Sequence, residues 1–161
     1  MAEENTPWEL ELYEDEYGQA PFAGFLDDLG EAEFLAMDAA LRCVLATQGI
    51  SLARTGWLKP LGQGLHEFRV RHDAAEIEHM YGSGDKTGGR GADVLLRVFV
   101  HFYGNRVVLL LGGYDKGDDP SPKRQQKEIA RARTLLTAWE QRQAKRRSAG
   151  RKAGGGKGAR S

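Results

Sequence analysis

Arg69, Arg97 and Lys116 are the residues in this chain best placed to do chemistry together. Arg97 lies in an apolar run where Val94, Leu96, Val98, Val100 and Phe102 alternate with Leu95, Arg97, Phe99, His101 and Tyr103. Successive strand side chains point to opposite faces, so Arg97 shares a face with Phe99 and His101. A guanidinium in such a strand must reach water, a carboxylate or a phosphate. Arg69 sits in a second strand-like stretch, Leu65–His72, and Lys116 ends the apolar run after Arg97. If these strands are neighbours, all three cations lie on one sheet face. Fixed cations suit phosphate: they hold a backbone and stabilise charge developing at a scissile phosphoryl group. His101 adds a candidate general acid or base, with a hydrogen-bonded sheet histidine as the alternative. The plainer reading of Arg69 and Arg97 is ion pairing with Glu67, Glu76 or Glu78, and that of Lys116 is a solvated loop charge.

Other chemistries lack their residue patterns. The four histidines (66, 72, 79 and 101) show no HExxH or Cys/His spacing, so no metal is expected. There is no GxSxG element, and the Gly-rich 82–92 segment matches neither common nucleotide fingerprint, so no cofactor is expected. That segment reads as a mobile loop. The single cysteine, Cys43, falls in a helical pattern and reads as a core residue of a protein from a reducing compartment. The acidic N-terminal stretch does not resemble a signal peptide. No apolar run approaches the ~18 residues of a membrane span, so a cytoplasmic protein without a membrane partner is expected.

A formal net charge of zero hides an asymmetry. Residues 1–122 carry 10 Lys and Arg against 21 Asp and Glu, whereas 123–161 carry 13 against 2. A basic C-terminal arm suggests an anionic partner such as nucleic acid, or a tail that folds back on its own acidic body.

The elements that must position the cations follow from periodicity. Trp8, Leu10 and Leu12 alternate with Glu9, Glu11 and Tyr13 in a first strand. Two helices follow, broken near Gly30, the second carrying a core stripe of Phe34, Met37, Leu41, Val44 and Leu45 and ending at Gly49. Residues 50–64 read as a loop, and Ala74–Tyr81 as either strand or short helix. Gly104-Asn105 joins the Arg97 strand to Arg106–Leu111 as a β-hairpin. Ser121 and Pro122 mark the start of a last helix, with Ile129, Ala132, Leu135, Leu136 and Trp139 at helical spacing to about Arg147. Trp57, Trp139 and Tyr103 read as packing residues. Residues 148–161 have too few apolar groups to fold and read as a disordered basic tail. One α+β domain over 1–147 follows, with a mainly antiparallel sheet of about four strands, two N-terminal helices and a C-terminal helix.

Four stretches in order then carry a resemblance. Leu65-His66-Glu67-Phe68-Arg69, Leu96-Arg97-Val98-Phe99, Leu109–Lys116 and Pro122 through Glu128-Ile129-Ala130-Arg131-Ala132 together resemble the phage-derived Gp49-like and HigB toxins of the RelE/ParE superfamily. The resemblance spans roughly residues 8–139. It implies a RelE-like fold and the toxin of a type II toxin–antitoxin pair: a metal-independent mRNA endoribonuclease at the ribosome, neutralised by a cognate antitoxin of helix-turn-helix type. It implies that Arg69 and Arg97 bind and polarise the phosphate, that Lys116 stabilises charge or the leaving group, and that Tyr114 stacks on a base or helps proton transfer. Arg71, Lys123, Arg124 and Lys127 are the candidate nucleic-acid contacts. The sequence departs from the family pattern at Gly117, where a second lysine is usual, and at the acids Asp115, Asp118 and Asp119. The alternative is a non-catalytic, ParE-like or degenerate phage-derived protein that binds a protein target such as gyrase.

Overall fold

The computed structural model describes residues 7–81 and 94–160, the last ten as backbone only. The loop expected over 82–92 lies outside the described residues. Among the described residues, five strands form one mixed sheet: β1 (Glu9–Leu12), β2 (Leu58–Gly62), β3 (Leu65–Val70), β4 (Leu96–Tyr103) and β5 (Val107–Asp115). They lie in the order β1-β5-β4-β3-β2, with β1 parallel to β5 and every other pair antiparallel.

One sheet face is covered by α1 (Pro21–Asp27) and α2 (Glu31–Ala40). The latter runs on through a π-helical turn (Leu41–Leu45), a short α3 (Ala46–Gln48) and a 3-10 turn (Gly49–Arg54). α4 (Ala74–Tyr81) packs on α2. The other face is covered by α5 (Pro122–Arg160). The β4 alternation sorts these two layers. Leu96, Val98 and Val100 join Phe22, Met37 and Val44 in one core, whereas Phe99 joins Tyr114, Ala132, Leu136 and Trp139 in the other. The Glu31–Arg54 run is long and apolar enough to cross a membrane by length and composition, beyond what the sequence reading allowed. Its apolar side chains Met37, Val44, Leu45 and Leu52 are buried in the first core.

Several expectations change. The sheet has a fifth strand, β2, inside the stretch read as loop. Pro60 is compatible with a strand there because β2 is at the sheet edge, where a missing N–H need not break a ladder. Gly62 pairs with Leu65 across Gln63-Gly64, both at positive φ, as in a type I′ turn. The β4–β5 turn spans three residues, because Tyr103 pairs with Val107, and Arg106 takes a left-handed φ of 63°. Phe34 is 44% exposed, while Ala36, Ala39 and Ala40 make the close contact, since small side chains let the helix approach the sheet. The open choice at Ala74–Tyr81 resolves to helix.

α5 starts where the sequence indicates: the Arg124 N–H donates to Ser121 Oγ at 3.1 Å, and Pro122 is its first residue. Its backbone continues to Arg160, past the end expected near Arg147 and through the stretch read as disordered. Propagating a helix that is already nucleated fixes one residue per hydrogen bond, and Ala149, Arg151, Lys152 and Ala153 favour that, whereas the glycines at 150, 154–156 and 158 oppose it.

Candidate functional site

β3 and β4 are in register at Arg69 and Arg97, and β4 and β5 at Arg97 and Tyr114. The three side chains thus form one row across three strands, on the face that α5 covers. Two adjacent guanidinium groups repel each other, and a carboxylate between them resolves this. Glu67, two residues before Arg69 and on the same face, accepts from Arg69 Nε at 3.1 Å and lies 3.8 Å from Arg97 Nε. Gln125, from the first turn of α5, donates to its other oxygen at 3.3 Å. Glu67 is fully buried and Arg97 only 3% exposed, so this ion cluster is internal. Of the plainer pairings considered from the sequence, the one with Glu67 is present.

Burial lowers the Arg97 guanidinium pKa, Glu67 acts against that, and Arg69 and Arg71 reinforce it. Arg97 Nη1 donates to the Leu96 carbonyl at 3.3 Å, and its Nε has no hydrogen-bond partner among the described residues. Tyr114 is 2% exposed, and burial, then Glu67, pushes its hydroxyl up. That hydroxyl has no hydrogen-bond partner among the described residues either. The Tyr114 ring stacks on Phe99 and lies 5.1 Å beneath the Arg124 guanidinium, which pairs with Glu128 at 2.8 Å.

The row therefore divides by access. Arg97 and Tyr114 are buried beneath α5, out of direct reach of a nucleic acid in this arrangement. Arg69 keeps 20% of its side chain exposed and is the member of the row that solvent reaches. Lys116 follows β5, tied to β4 by its N–H on the Leu95 carbonyl at 2.8 Å, with a half-buried side chain. Arg71, Lys123 and Lys127 are exposed, and Arg124 is half-buried. His101 stands apart. It is four residues from Arg97 along β4, about 13 Å at ~3.3 Å per residue. Its Nδ1 lies 2.8 Å from the Gly64 carbonyl, and its ring packs on Tyr103 and Trp139. This makes it a sheet histidine held by the β2–β3 turn, not a partner of the cations.

Glu67 and Gln125 are the members of the cluster that site selection from sequence missed. A signal for Glu67 existed: Arg69 and Glu67 share an alternation face, and a guanidinium in an apolar strand needs a carboxylate.

A second feature adjoins the row. β1 stops pairing at Leu110, and a bulge leaves Leu111 unpaired opposite β4, so the last part of β5 borders a cleft beneath α1 and α5. The cleft has a volume of about 670 Å³ and its wall includes Asp28, Glu33, Asp115, Asp118, Tyr114 and Arg124. Gly113 has to be glycine here, because a Cβ would lie 2.7 Å from the Phe25 ring and 2.8 Å from the Arg97 carbonyl oxygen. Burial pushes the Asp115 carboxyl up, its bond from the Gly117 N–H offsets part of this, and Asp118 and Glu33 push it further up. Among the described residues, no group of three or more His, Cys, Asp or Glu is placed to hold a metal ion.

No protein-family model matches the chain, and no curated protein matches it in sequence.

Proposed function

We propose that this chain is the toxin of a type II toxin–antitoxin pair, of the RelE/ParE kind, that cleaves mRNA in the cytoplasm, at the ribosome, without a metal. A cognate helix-turn-helix antitoxin neutralises it. The observation that carries this reading is the in-register row of Arg69 and Arg97 beside the basic start of α5. Arg69 binds the non-bridging phosphate oxygens. Arg97 is a positioning residue: it balances the charge of Glu67, which in turn holds the Arg69 fork. Lys116 stabilises charge on the leaving group, and Arg71, Lys123 and Lys127 hold neighbouring phosphates. The RNA 2′-hydroxyl attacks the adjacent phosphorus and loses its proton. The bond to the 5′-oxygen breaks, and that oxygen takes up a proton.

One observation favours a second reading, a non-catalytic toxin that binds a protein target such as gyrase: Arg97 and Tyr114 are buried, and the cleft beside them is acidic. Inducible expression in a bacterial host, with mapping of mRNA 5′ ends for the parent and Arg69→Ala, separates the two. New 5′ ends that vanish in Arg69→Ala are the expected result. Growth arrest without new ends selects the protein-binding reading, and neither effect refutes both.

A further inference from the structure

Past Arg142, α5 leaves the body of the protein. Among its described side chains Trp139 is the last that is buried. Arg142 fixes the point of departure: its Nη2 donates to the Glu14 carbonyl at 2.7 Å, and its guanidinium lies 5.2 Å over the Tyr13 ring. The backbone continues as helix to Arg160, ~27 Å further at ~1.5 Å per residue. Residues 141–161 hold eight Lys and Arg and no Asp or Glu. Lys145, Arg146 and Arg147 are exposed, and none forms a side-chain hydrogen bond or ion pair with another described residue. The described part of the acidic body leaves these three charges uncompensated, which favours an outside partner over a tail folded back on the chain.

We propose that α5 beyond Arg142 is a docking arm for the phosphate backbone of double-stranded RNA. Composition chooses the partner. After Trp139 the chain has no aromatic residue and no aliphatic one larger than alanine. A lipid surface needs an apolar helix face to insert, and a protein interface draws much of its strength from buried aromatic anchors. Single strands are gripped by stacking their bases on aromatic rings. The arm offers none of these, whereas a duplex displays closely spaced phosphates that cations alone can hold. The choice of RNA over DNA rests on the proposed function. The arm is on the same helix as Lys123 and Lys127, so an RNA that reaches those residues is brought towards it. Arg146 is ~28 Å along that helix from Lys127, so the arm holds phosphates well away from the proposed point of cleavage.

Fluorescence anisotropy of the full chain with a labelled RNA duplex of about 20 base pairs tests this. Both strands carry 2′-O-methyl groups, so attack by a 2′-hydroxyl is blocked and binding is read whether or not the chain cuts RNA; mapping of 5′ ends tests cleavage separately. Each duplex phosphate neutralised adds ~0.9 to the steepness of log K against log salt. Lys145→Ala/Arg146→Ala/Arg147→Ala should therefore lower that steepness by about 2–3 and weaken binding at least about tenfold near 0.1 M salt. The melting temperature should not change, because all three side chains are exposed. Arg146→Lys/Arg147→Lys should keep the parent's salt dependence, since charge alone is at work. The proposal is overturned if the triple alanine variant keeps the parent's salt dependence or the lysine variant loses it. It is equally overturned if a single-stranded RNA of equal length, the same duplex in DNA, or phosphatidylserine vesicles compete more strongly for the chain than the RNA duplex does.

Discussion

Replacing Glu67 with glutamine tests the internal ion cluster directly. The side chain keeps its shape and its one carbonyl oxygen can still accept from Arg69, with its amide NH2 turned to Gln125, but the charge opposite Arg97 is gone. At 3.8 Å, with an effective dielectric constant of ~20, the Coulomb attraction lost is about 4 kcal/mol. Breaking a buried pair by removing one partner typically costs ~3–5 kcal/mol, which agrees. Arg69 adds little because its guanidinium is partly exposed and water screens its charge. At ~2–4 °C per kcal/mol for a chain of this size, the melting temperature should fall by about 10–15 °C. Thermal denaturation followed by far-UV circular dichroism at neutral pH measures it. The compensated variant Glu67→Leu/Arg97→Met should regain most of the loss, because two apolar groups leave no orphaned charge. A Glu67→Gln protein that melts within ~2 °C of the parent would show that the cluster is solvated and refute the reasoning.

Arg97→Ala should lower the melting temperature by a similar amount, since it strands a buried carboxylate, whereas Arg69→Ala should melt close to the parent; paired thermal scans check both. Gly113→Ala should destabilise the fold by ~1–3 kcal/mol in denaturant titrations, because a Cβ there meets Phe25 and a backbone oxygen. Burial and the hydrogen bond to Glu11 push the Tyr103 hydroxyl up to about 12 in the folded state. The unfolded chain then releases that proton first, so stability is intact below pH ~10 and falls as pH rises from there towards 12. Urea unfolding across that window should show the decline in the parent and lose this contribution in Tyr103→Phe.

The β4–β5 hairpin was legible because its residues alternate without interruption over Val94–Tyr103, and the two faces found their two cores as that pattern required. Ser121-Pro122 fixed the start of α5 through a cap whose chemistry is local. β2 was not legible because Pro60 and three nearby glycines are loop residues by composition, and only its position at the sheet edge makes a strand of them. The cation row was legible as types on a face, but its burial was not. Whether α5 lies over Arg97 depends on Ala132, Leu136 and Trp139 packing on Phe99 and Tyr114, a tertiary fact with no sequence-local signal. His101 was placed with Arg97 by face alone, and a shared face says nothing about distance along the strand.

The pairing of β1 with β5 also orders events during synthesis. β1 is made first, yet its neighbour in the sheet lies about a hundred residues downstream, at Val107–Leu110. A nascent chain carries a four-residue strand with no ladder to join until that hairpin has left the ribosome. Glu9 and Glu11 on that strand put charge on an otherwise sticky edge during the wait. Closure over so long a loop makes docking of β1 a late step, so the N-terminal strand sets how soon each newly made molecule completes its sheet.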